Sequence, residues 1–132
     1  MGFDEIPHTA DWSIRVWADD LEKLLVESAR GMYWLADAEM VDEPRVTKTL
    51  ILEGPDDESL LMAFLSELVY FTEKENLGFD MFELSIKNGR LKVEIEGAQL
   101  QSISKTIKAV TWHNLEIHKS ARGLEVDIVF DV

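Results

Sequence analysis

The chain has 132 residues, 46% of them hydrophobic and 30% charged, a composition that suits one globular domain (residues 1–132) with a core of its own. Its 26 acids outnumber 13 bases, and a net charge of −13 argues against strong direct binding to nucleic acid or an anionic membrane; it favours a basic protein surface or a cation. Cysteine is absent, which excludes disulfides, thiolate metal sites and cysteine nucleophiles and agrees with a reducing cytoplasm.

"MGFDEIPHT" has neither a basic n-region nor an apolar h-region, so no signal peptide is expected. Ile6 stands where myristoylation wants Ser or Thr. No apolar run approaches the roughly 20 residues that span a bilayer. "GFDEI" (2–6) reads as a short strand ended by Pro7. "WSIRVWA" (12–18) alternates, with Trp12, Ile14, Val16 and Ala18 on one face, and predicts a half-buried strand. Asp19 then caps a helix over 20–36, with Glu22 three residues on completing a capping box. Leu21, Leu24, Leu25, Ser28, Ala29, Met32 and Leu35 form its buried stripe, and "DAEMVDEPR" breaks it.

"RVTKTLILEG" (45–54) alternates as a third strand. Pro55 and Asp56 or Asp57 open a second helix over about 56–76, with Leu61, Phe64, Leu65 and Leu68 at helical spacing. "MFELSIKNGRLKVEIEG" (81–97) is a hairpin: two alternating runs flank Asn88-Gly89, a pair suited to the two positive φ angles of a type I′ turn. "AQLQSIS" (98–104) is ambiguous, and the β-branched and apolar residues of 106–119 predict strand over much of that stretch. "LEVDIVFDV" (124–132) alternates again, with Phe130 inward. The order β-β-α-β-α-β-β-β-β is not a regular βαβ alternation. It predicts an α+β fold, an antiparallel or mixed sheet packed against two long helices.

Asp11 and Asp131 both project away from the core side of their strands in this pattern. With the α-carboxylate of Val132 they would supply hard oxygen ligands for Ca²⁺ or Mg²⁺. The competing reading is two solvated acids in an acid-rich chain. His8, three residues before Asp11, fits a ligand, a base or a turn cap. His113 and His118 are an odd number apart, on opposite faces of an ideal strand, which argues against a joint metal site. Lys108 is a lone base between apolar neighbours, able to meet a phosphate or carboxylate, or simply to solvate a strand. Modest basic clusters occur at Lys105/Lys108 and His118/Lys119/Arg122. There is no phosphate-binding glycine loop and no nucleophile elbow. Met32, Trp34 and Met62 fall on helix stripes and read as core.

Four separated blocks, in order, resemble the archease family: "HTADWSIRVWADDLEKLLVESARGM", "DDESLLMAFLSELVYFTEKE", "IKAVTWHNLEI" and the terminal "VFDV". The resemblance implies a small α+β protein that assists the tRNA-splicing RNA ligase, a GTP- and Mn²⁺-using enzyme. It would promote guanylylation of the ligase and its multiple turnover, and broaden its nucleotide use. It further implies a divalent cation, assigned as Ca²⁺, with Mg²⁺ or Mn²⁺ as other candidates, held by Asp11, Asp131 and Val132. Lys108 would lie nearby and help activation, and His8 would face the site or the partner. One departure stands out: "GAQLQSISKT", before the Lys-Ala-Val-Thr block, is short and lacks the histidine that family members often carry there. Two other readings of the residues compete. One is a metal-dependent phosphoester hydrolase centred on His8, Asp11 and Asp131. The other is a general acidic adaptor with several clients.

Overall fold

The computed structural model describes residues 1–7 and 12–132. His8 and Asp11, both singled out above, lie outside the described residues. Strand β1 (Gly2–Ile6) pairs antiparallel with β2 (Trp12–Ala18), Gly2 opposite Trp17 and Ile6 opposite Ser13. Ile14, Val16 and Ala18 of β2 are buried and Arg15 is exposed, as the sequence predicts, but Ser13 on the opposite face is buried as well.

Helix α1 (Leu21–Ala36) is capped by Asp20 rather than Asp19. Asp20 has the extended backbone of an N-cap, and its carboxylate accepts from the Lys23 backbone N–H at 2.9 Å. With the cap at Asp20, Glu22 is the second helical residue, too early for a capping box; its charge instead complements the first turn of the helix. Trp34 is 58% exposed, not core, and leans on Phe3 with ring centroids 5.8 Å apart; Met32 is buried as expected.

Strand β3 (Glu39–Glu53) starts six residues before the predicted start at 45, and irregular register around Met40 and Arg45 absorbs the acid- and proline-containing run. Helix α2 (Asp57–Glu75) is capped by Asp56, whose carboxylate accepts from the Ser59 N–H at 2.8 Å. Strands β4 (Leu77–Lys87) and β5 (Arg90–Ser102) form the hairpin, with φ of 53° at Asn88 and 73° at Gly89, both positive as a type I′ turn requires. The ambiguous stretch after residue 97 continues β5 to Ser102.

The strand expected over much of 106–119 is reduced to two short pieces, β6 (Ala109–Val110) and β7 (His118–Ser120). The apolar residues here serve the core without serving a ladder. Ile107 and Val110 are buried, Leu115 and Ile117 pack on the core, and the backbone between them is irregular. Its N–H groups go to scattered acceptors: Ser104 and Lys105 to Ala36 O, Lys108 to Asp131 O, Thr111 to Val129 O, and Ile117 to the Glu58 carboxylate. Strand β8 (Gly123–Asp131) completes the described chain's regular structure.

All pairings are antiparallel. They make two sheets rather than one: β1-β2-β8-β6, with β7 also on β8, and β3-β5-β4. Both helices touch both sheets. One continuous core results, from Ile14, Val126, Ile128 and Phe130 through Leu24, Leu25, Phe64 and Leu65 to Leu91, Val93 and Ile95. This is an α+β fold. Among the described residues no helix is long and apolar enough to cross a membrane.

Candidate functional site

The alternation of β8 fixes where its acids go. Val126, Ile128 and Phe130 are buried, so Asp131 is exposed at the strand's end. Strand β2 lies on one side of β8, with Trp12 opposite Phe130. Strand β6 lies on the other, with Ala109 opposite Asp131 and Val110 opposite Phe130. The first residue of β2, the end of β8 and the Lys-Ala-Val-Thr segment therefore share one edge of the first sheet.

Lys108 is tied there through its backbone: its N–H donates to the Asp131 carbonyl at 2.7 Å, while its side chain is exposed. Val132 is half-buried and packs on the core, which holds the chain end against the sheet. The Lys105 ammonium sits 4.4 Å from the centroid of the Trp12 ring, a cation–π contact that places a second cation on the same edge. The backbone of Lys108 and the ammonium of Lys105 are thus placed at this end of the sheet, one on the Asp131 carbonyl and the other on the Trp12 ring.

Among the described residues, none of the other sequence-predicted groups joins Asp131 in a ligand cluster. His113 is exposed and within 3.3 Å of the Asn114 side chain. His118 lies in β7, opposite Glu125, at the other end of β8. The cluster around it is largely engaged, with Arg122 stacked 3.7 Å over the Trp17 ring centroid and paired with Glu125 at 3.2 Å. A basic stripe of the kind that tracks a phosphate backbone does not form from it.

The donors expected to hold a cation are hard oxygens, from the Asp131 carboxylate and from Val132, and their chemistry suits Ca²⁺, Mg²⁺ or Mn²⁺. Among the described residues no three His, Cys, Asp or Glu side chains converge as a ligand set. Asp11, the remaining member of the expected set, lies outside them.

Two features of the segment between β6 and β7 escape sequence reasoning. Glu58, in the first turn of α2, accepts from the Ile117 N–H at 2.8 Å and so pins the irregular segment from below. Trp112 is 58% exposed in the same segment. The only signal for the latter is a large aromatic next to His113, where the buried spacing of Ile107 and Val110 is interrupted.

Residues 3–132 match the model of the archease protein family (MTH1598/TM1083). The protein archease of Methanopyrus kandleri is 31% identical, with all of each chain covered. That of Pyrococcus abyssi is 31% identical over 92% of this chain and 91% of its own. Among solved structures, an archease of Thermotoga maritima described as a possible chaperone superposes with a TM-score of 0.72 at 20% identity, covering 96% of this chain and 94% of that one. Methanobacterium thermoautotrophicum protein 1598 gives 0.69 at 23% identity, covering 99% of each. These two likenesses are likenesses of fold.

Proposed function

The chain belongs to the archease family, and on that premise we propose that it is an accessory protein that activates the tRNA-splicing RNA ligase, promoting the ligase's guanylylation and multiple turnover and broadening its nucleotide use. The observation that supports the reading is the shared edge: Trp12 opposite Phe130, and Lys108 bonded to the Asp131 carbonyl. Asp11, Asp131 and Val132 would hold a divalent cation, Ca²⁺ by the family's pattern. Such an ion supplies charge neutralisation on a transferring phosphoryl group. Asp131 contributes an exposed carboxylate on a fixed strand end. Lys108 offers an ammonium whose backbone is fastened, free to meet a phosphate or carboxylate of the partner complex. His8 would face the site or the partner.

The test is RNA ligation by the cognate ligase at large substrate excess, with catalytic amounts of this protein. Wild type raises turnover. Asp131→Asn and Asp11→Asn reduce the stimulation by roughly tenfold or more, and Asp131→Asn does so at unchanged Tm because that side chain is exposed. Lys108→Ala reduces it without altering cation binding. Full stimulation by Asp131→Asn would remove the metal site from the mechanism; no stimulation by wild type would remove the ligase.

The description of the Thermotoga maritima protein as a possible chaperone favours a second reading, an acidic adaptor with several clients. It predicts binding that survives Asp131→Asn and weakens with salt.

A further inference from the structure

The second sheet turns one face to the core and leaves the other open. On its central strand β5, Leu91, Val93 and Ile95 are buried, so Arg90, Lys92, Glu94 and Glu96 point to the open face. Two cations followed by two acids thus run down the middle of that face. The register sets their neighbours: Glu53 and Lys87 flank Arg90, Ile51 and Ser85 flank Lys92, Thr49 and Glu83 flank Glu94, and Thr47 and Met81 flank Glu96. Ile51 and Met81 are 60% and 58% exposed, large apolar side chains on the same open surface.

Ion pairs within the chain leave these charges unbalanced. Arg90 meets Glu53 at 3.0 Å and Lys92 meets Glu94 at 3.2 Å, and all four side chains remain open to solvent. At the acidic end Arg45 serves both Asp80 and Glu96, while Arg30, which lines the same end, is held by Glu27 at 2.8 Å. Glu83 and Lys87 make no ion pair among the described residues. Glu83 stands directly opposite Glu94, and Lys87 directly opposite Arg90. Like charges in directly opposed positions destabilise paired strands. A single copy therefore carries one unfavourable pair at each end, of opposite sign.

The order base, base, acid, acid becomes its own complement when reversed. Sheets stacked face to face keep their strands within about 30° of one another. A twofold axis crossing β5 between Lys92 and Glu94 would run the β5 of a second copy in the opposite direction. Lys92 would then face the second copy's Glu94, and Arg90 its Glu96, each contact occurring twice. Ile51 would cover the second copy's Thr49, and Met81 the apolar stem of its Lys87. We propose that this face is the contact of a self-complementary dimer, its occupant a second copy of this chain. Four rows across three strands give a footprint of about 400 Å² a side, short of the roughly 800 Å² per partner of a standard interface. The dimer is accordingly weak, with a Kd on the order of 100 µM. None of these residues belongs to the Asp131 edge, and the inference stands apart from the ligase reading.

The experiment is analytical ultracentrifugation of the purified chain from about 10 µM to about 1 mM, a range that brackets that Kd. Wild type passes from monomer to dimer. Lys92→Glu and Glu94→Lys each weaken self-association by about tenfold or more, because each sets like charge on like charge twice across the axis. Mixed in equal amounts, the two variants associate with each other at about wild-type strength, since every reversed contact then finds its opposite. A chain carrying both reversals also recovers self-association, and it keeps the in-chain pair between positions 92 and 94. Wild type that stays monomeric over the whole range overturns the proposal. Single variants that associate as wild type does overturn it too, by moving the contact to another surface. Two monomeric variants that ignore each other when mixed, with no recovery in the double reversal, overturn the antiparallel register on which the dimer depends.

Discussion

Asp56 links a helix cap to the candidate site. It caps α2, the first turn of α2 holds Glu58, and Glu58 pins the segment that carries Trp112 and follows Lys108. Hydrogen bonds from the Ser59 hydroxyl and the Ser59 backbone N–H hold the Asp56 carboxyl below its ordinary pKa. A carboxyl depressed on folding stabilises the native state above its unfolded pKa, and that contribution is lost as pH falls through the folded value. Asp56→Ala therefore melts below wild type at pH 7, and the gap closes as the pH is lowered through the acidic range. Paired thermal melts along a pH series check this; a gap that stays constant would mean the cap acts through its shape alone. Single residues were unevenly legible in the sequence. Asp131 was readable, because the strict alternation of β8 leaves it no place but outside. Trp112 was not, because exposure in an irregular segment is set by where the neighbouring backbone finds its acceptors. Asp19 was mistaken for the cap because two consecutive aspartates both suit the role, and only the backbone decides which carboxylate reaches a free N–H.

Among the elements, the β4–β5 hairpin was the most legible, since period-two alternation and an Asn-Gly turn agree on one register. That register depends on a close approach the pattern did not announce. A Cβ on Gly97 would collide with the Gly78 carbonyl oxygen across the pair, next to the irregularity between Phe79 and Met81. The atoms it would meet are backbone, and the Cβ position is set by its own backbone, so no side-chain rotation relieves the clash. Gly97→Ala is expected to cost about 2–3 kcal/mol in urea unfolding, more than Gly89→Ala, whose added carbon meets only Gly54 O at 3.3 Å and whose positive φ costs about 1–2 kcal/mol. Equal effects would show that the strands part at Gly97 without penalty. The 106–119 segment was the least legible. Its β-branched residues signal burial, which is correct for Ile107 and Val110 and in part for Ile117, but β-propensity describes a packed surface and not a ladder. The free edge of β8 offers this segment only two short pairings, at its two ends.

At the scale of the molecule, the surplus of acids works in two directions. It repels itself within the folded chain and attracts a basic partner. Raising the ionic strength from about 0.01 M to about 0.15 M shortens the Debye length from about 30 Å to about 8 Å. The Tm of the free chain should rise over that range while its affinity for the ligase falls. Differential scanning calorimetry and binding titrations in the same buffers check both; a Tm that does not rise would remove self-repulsion, and an affinity that does not fall would remove attraction to a basic partner. The α+β class was legible from element order alone. The division into two sheets was not, since strand partners far apart in sequence leave no local signal. The place of β8 in its sheet has a further consequence. It follows every other described element in chain order, yet it lies between β2 and β6, so the first sheet has no middle until synthesis reaches it. The β1–β2 ribbon must wait with its pairing edge open while both helices and the second sheet are already available to fold. Its closing residue, Asp131, sets in place the carboxylate on which the proposed activity depends. A nascent chain short of that point could hold much of the core and still be inert toward the ligase, so the competence of the protein would report that its own translation had run to the end of this strand.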